Sequence, residues 1–179
     1  MDREIKLNEK ERALFIYLFK ILKNQDDGEY DYDNMIKALQ YGFEYHYNDV
    51  FDCLFDEEMS NEECKEVLDI LEMYRGITYS YVNLERNGKL GDLKGDQICF
   101  RGFDGNNETK QMSYATYFIV DLDRYSEIQE YSHGNDYNSH CRLLPKYRAM
   151  LKKWKEYEGL LENRYMMDYK HLTELLSCR

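Results

Sequence analysis

A single proline in 179 residues is too little punctuation for an all-β chain of this size, and long helices suit it better. Paired cysteines are also missing. The five thiols (Cys53, Cys64, Cys99, Cys141 and Cys178) form no C-x-x-C, and an odd count without a secretory leader predicts reduced, buried thiols in a cytoplasm. Long apolar runs are absent too. The longest, Ala13 to Leu22, is interrupted by Lys20 and flanked by Glu9, Lys10, Glu11, Arg12 and Lys23, so it is neither a signal core nor a membrane span. Basic residues are scarce: 24 against 35 acids leave a net charge of −11. That balance repels a phosphate backbone, so direct nucleic-acid binding is disfavoured. No nucleophile elbow, Walker loop, dinucleotide loop or H-E-x-x-H occurs, and no cofactor is expected.

What is present is helical periodicity. From Ser60 to Leu84 the apolar residues recur at three-and-four spacing, with Val67, Ile70, Leu71, Tyr74, Thr78 and Tyr81 on one stripe. Ser60 and Glu63 make a capping box at its start. Beyond Met73 the apolar set widens to Ile77, Tyr79, Val82 and Leu84, as in a central helix enclosed by others. Asn8 and Glu11 open a first helix to about Lys23, whose apolar residues cover two faces, so it is expected to be well buried. Further helices are expected over about 34–45, capped by Asp33, over about 47–55, and from Asn106 or Asn107 to about Glu130. Pro145 then opens another, with Tyr147, Leu151 and Trp154 on one face, and a tail helix is placed at about 168–177. The acidic run Asp26 to Asp33 fails as a calcium loop. Gly28 in sixth position would put Lys23 first, so it reads as a solvated turn.

Two irregular stretches interrupt the helices. Residues 85–107 hold five of the ten glycines, and connections of this length are usually functional or disordered. The second stretch is YSHGNDYNSHCRL. A continuous helix of some twenty-odd residues between them would hold the two roughly 30 Å apart. The FRGFDGNNE loop is then expected near Trp154 and the end of the central helix, and HGNDYNSH near Ser60.

The runs DILEMYRGITYSYVNL, FRGFDGNNE with YATYFIVDLDRYSE, and NSHCRLLPKYRAMLKKW resemble the YfbU family in content, order and spacing. The likeness is close from Ser60 to Trp154, and LNEKERALFIYLFKIL is similar to the family's opening helix. It implies an all-α, cytosolic bacterial protein that self-associates, and it supplies no catalytic assignment. The fold expected is an all-α, multihelical, single-domain bundle over residues 1–179, with its core at 8–157 and two long irregular loops.

Candidate contact residues are Arg75, Arg101, Asp104, Glu108, His133, Asn138 and His140. A guanidinium among apolar neighbours needs a bidentate partner. For Arg75 a structural ion pair with Asp104 or Glu108 is preferred over a ligand clamp. Asp104 and Glu108 also suit a helix start. His133 and His140, seven residues apart, lack metal-ligand spacing, and no metal site is assigned. Eighteen tyrosines exceed what one core satisfies at the hydroxyl, and tyrosine is enriched where protein surfaces meet. The leading expectation is a non-catalytic, homo-oligomeric protein whose loops contact a partner or a small anion. The alternative is a hydrolase or sensor for a phosphate-bearing or other anionic small molecule, with Arg75 and Arg101 as clamps and Asp104 or Glu108 as base or metal ligand.

Overall fold

A computed structural model of the chain describes residues 5–25, 30–51, 58–132 and 136–178. Two compact units divide it, Met1–Glu58 and Met59–Arg179. Among the described residues the regular structure is helical, and two lone residues, Phe103 and Asn138, form an isolated parallel bridge.

In the first unit, helix α1 (Glu9–Leu22) starts on the expected capping box. Asn8 Oδ1 accepts from the Lys10 and Glu11 amides, and the Glu11 carboxylate accepts from the Asn8 amide at 2.8 Å. Helix α2 (Tyr32–Tyr41) is capped by Asp31, two residues before the acid expected, and ends at Gly42 in the left-handed region, φ 69°. A short 3-10 turn, Glu44–His46, leads into α3 (Tyr47–Val50). The continuation expected to residue 55 lies outside the described residues, as does part of the acidic run. Leu39, Tyr47 and Val50 form a small core, against which Phe15, Ile16 and Phe19 of α1 pack. Contrary to expectation, α1 has no buried residue. Among the described residues of this unit, only its Phe15, Ile16 and Phe19 side packs on the small core, and Leu14, Tyr17, Leu18 and Ile21 are exposed.

In the second unit, α4 (Asn61–Arg86) is the predicted central helix, capped by Ser60 and Glu63. Val67, Ile70, Leu71, Met73, Tyr74, Ile77, Tyr81 and Leu84 are buried along it. Helix α5 (Gly95–Ile98) is one turn, followed by α6 (Thr109–Thr116), a π-helical turn at Tyr117–Asp121, α7 (Ser126–Gln129), α8 (Leu144–Leu160) and α9 (Tyr169–Leu176). Helix α8 presents Tyr147, Leu151 and Trp154 to the core as the spacing predicts. It also comes very close to α4, since a Cβ on Gly76 would lie 2.2 Å from the Trp154 indole. Asp168 caps α9, which buries Leu172 and Leu175.

The largest departure concerns the helix expected to run to Glu130. It ends in the π turn, and Asp123 and Tyr125 take left-handed conformations, φ 49° and 58°. Leu122 and Arg124 close the turn by donating to the Tyr117 and Phe118 carbonyls, and Gln129 Nε2 donates to the Ile119 carbonyl at 2.8 Å. The chain therefore folds back, and the two irregular stretches meet. No helix among the described residues is long and apolar enough to cross a membrane.

Candidate functional site

The meeting point is built from 99–108 and 136–144. Phe103 donates to the Tyr137 carbonyl and Ser139 donates to the Phe103 carbonyl, each at 2.9 Å. Gly102, with φ 77°, allows this approach, for a Cβ there would lie 1.7 Å from the Tyr137 carbonyl oxygen. The buried Tyr147 phenol donates to the Gly102 carbonyl at 3.0 Å and fastens the loop to α8. Asn138 Oδ1 accepts from the Gly105 and His140 amides.

Glu108 sits inside this junction, 5% exposed. Its carboxylate accepts from the Asp104 amide at 3.1 Å, from Leu143 at 3.1 Å and from Leu144 at 2.9 Å. It is thus the cap of α8, a helix whose own N-cap residue, Leu143, makes no side-chain cap. Asp104 accepts from the Asn106 amide at 3.0 Å and from the Asn107 side chain at 2.5 Å. Those two bonds hold its pKa below the ordinary value. Arg142 donates to Asn107 Oδ1, tying the loop to the start of α8.

Arg75 lies elsewhere. Its partners are Glu127 of α7 and Glu72 one turn back on α4, the latter at 3.2 Å, and neither Asp104 nor Glu108 is among them. The guanidinium carbon sits 4.1 Å from the centroid of the Tyr125 ring. The Tyr125 and Tyr165 hydroxyls both donate to Glu72, at 3.1 and 2.6 Å. Burial, then the Glu72 charge, pushes the Tyr125 phenol up to about 12. For Arg75, burial opposes the charge but the Glu127 and Glu72 pairs outweigh it and raise the pKa. The expected ion pair is present, with different acids. Helix α7 supplies Glu127 only because the preceding helix breaks.

Arg101 is exposed and borders two clefts. One, of about 290 Å³, is lined by Tyr74, Asp96, Gln97, Cys99, Leu143, Lys146, Tyr147 and Leu176 as well. The other, of about 220 Å³, adds Asp136, Asn138, Ser139 and His140. None of the ion pairs given above or formed by α8 uses Arg101 or Lys146. A larger cavity of about 490 Å³ lies in the first unit, where Asp31 caps α2 and His46 pairs with Asp49.

Of the seven candidates, Asp104, Glu108, Asn138, His140 and Arg101 thus gather at one junction, Arg75 stands apart, and His133 lies outside the described residues. Lys146, Gln97 and Arg142 were missed. No motif marks them; the fold brings Lys146 and Gln97 beside Arg101 and Arg142 onto Asn107. No cluster of three or more His, Cys, Asp or Glu side chains suited to a metal ion occurs among the described residues.

A YfbU domain model matches residues 5–178. The chain belongs to the YfbU family. It is also 31% identical over 172 residues, 96% of this chain and 99% of the relative's length, to a UPF0304 protein of Methanocaldococcus jannaschii. Neither the YfbU nor the UPF0304 name carries an activity or a ligand, so the chemistry of the site rests on its own geometry.

Proposed function

We propose that this YfbU-family chain is a non-catalytic, cytoplasmic, self-associating protein whose Arg101 and Lys146 cleft takes a small anion, a phosphate or a carboxylate. The observation that carries the reading is Arg101, an exposed guanidinium bordering two clefts and absent from the ion pairs of α4 and α8. A guanidinium fork matches carboxylate and phosphate oxygens, and a nearby ammonium adds a second point of attraction. On a chain of charge −11, Arg101 and Lys146 outnumber Asp96 in the lining of the first cleft, and a local positive excess concentrates small anions.

The two acids named for the hydrolase alternative are committed to structure. Both Asp104 oxygens are engaged, Glu108 spends its oxygens on three backbone amides, and Asp96 has an interaction of its own. A general base needs a lone pair within reach of the proton it removes, and the hydrogen bonds that hold the Asp104 pKa low make it a weaker base. Exposed aromatic side chains such as Tyr17, Tyr41, Tyr45 and Tyr117 support self-association.

Isothermal titration with inorganic phosphate and with citrate tests the anion site. Arg101→Gln combined with Lys146→Gln is expected to weaken whichever anion binds by about tenfold or more. Unchanged affinity in that variant overturns the site. Release of phosphate from a phosphate monoester that Asp104→Asn or Glu108→Gln abolishes, with folding intact, overturns the non-catalytic reading.

A further inference from the structure

Helix α1 carries two apolar stripes on opposite sides. Phe15, Ile16 and Phe19 face the small core of their own unit. Leu14, Tyr17, Leu18 and Ile21, again at three-and-four spacing, remain 58, 66, 43 and 59% exposed, with Leu22 at 37% beside them. A single exposed leucine is ordinary; five adjacent large apolar side chains on one face are not.

We infer that this face docks on the same face of a second copy, with the two α1 helices antiparallel across a twofold axis between Tyr17 and Leu18. The inference rests on the self-association proposed above and names its surface. The stripe is self-complementary when reversed. Antiparallel pairing sets Leu14 over Ile21 and Tyr17 over Leu18, so each aliphatic meets an aliphatic and each ring lies on a leucine, as an isologous contact requires. Charge agrees with the direction. The first turn holds Glu9 and Glu11 and the last turn Lys20, so antiparallel helices bring acidic start toward basic end and oppose their dipoles favourably. Parallel helices would set the acidic starts side by side. Area agrees as well. Five side chains exposed to this degree offer about 500 Å² per copy, and a pair of faces about 1,000 Å², the smallest area at which specific dimers are stable. An interface at that lower limit belongs with weak, reversible association.

Sedimentation velocity on the full chain over about 1 to 100 micromolar tests this, with Leu18→Lys, Ile21→Lys as the variant. These positions are exposed, so circular dichroism and melting are expected to match the parent. The wild type is expected to shift toward twice the 21.7 kDa chain mass, and the variant to associate at least about tenfold more weakly. A dimer that persists unchanged in the variant overturns the α1 surface while leaving self-association standing. A strictly monomeric wild type overturns both. If the variant fails to fold, a photo-crosslinker at Tyr17 in a mixture of light and heavy chains decides the matter. Crosslinks joining α1 of one chain to α1 of another support the inference, and crosslinks confined to one chain, or reaching other segments of a second chain, overturn it.

Discussion

Arg75 and Arg101 stand twenty-six residues apart in one chain, and both read in sequence as candidate clamps. In the fold they are opposites. Arg75 is held by two carboxylates and stacked on a tyrosine, and one of those acids, Glu72, also accepts from the Tyr125 and Tyr165 hydroxyls. Arg101 projects from a loop whose backbone is pinned on either side while its own charge stays open to two clefts. The difference shows how a guanidinium becomes structural. Desolvation makes its partners obligatory, since stranding a half-buried charge costs more than the pair gains. An exposed one keeps its charge for whatever arrives.

Breaking the pinned loop itself should have the largest effect. Glu108→Ala leaves three backbone amides without their acceptor, among them the α8 start, and is expected to cost about 3 kcal/mol in urea unfolding. Glu108→Gln keeps an acceptor oxygen and should fall between. If Glu108→Ala melts like the wild type, Glu108 is not the cap of α8.

Arg75→Met ranks next. Removing the fork strands Glu72 and Glu127, whose side chains are 31 and 16% exposed. Partial exposure brings the expected cost to about 2 kcal/mol, below that of breaking a fully buried pair. Anion binding at Arg101 should survive this change, and its loss would merge the two regions that the structure keeps apart.

A pH titration sharpens the comparison on the same network. The folded Tyr125 phenol keeps its proton up to about 12, above its ordinary 10.0. Its contribution to stability is therefore whole below pH 10 and is lost as pH rises from about 10 toward about 12. Unfolding free energy measured across that window should fall less steeply in Tyr125→Phe than in wild type. Equal slopes would remove Tyr125 from the linkage.

The smallest effect should belong to Arg101→Gln, expected to leave stability within about 0.5 kcal/mol of wild type, as for an exposed surface position. A clear loss in its melting midpoint would mean that Arg101, like Arg75, is part of the packing.

Residues near each other in the chain settled much of this protein by themselves. Asn8 with Glu11, Ser60 with Glu63 and Asp168 at the tail helix are caps closed by hydrogen bonds across two or three residues. The stripe of α4 and the Tyr147, Leu151 and Trp154 face of α8 follow from helical period alone. The YfbU resemblance was legible in the same local runs. What no local rule reached was the break at Tyr117 to Tyr125. That stretch contains no glycine or proline to signal it, and the Ile119 carbonyl within it is satisfied by Gln129, ten positions on. One partner of Arg75, Glu127, is 52 residues away, and Glu108 caps a helix start 35 residues on. Tertiary packing decided those pairings, because short hydrogen bonds and periodicity specify where a helix begins and which face is apolar. Only the folded chain specifies which distant charge is brought into the same desolvated space and which is left in water.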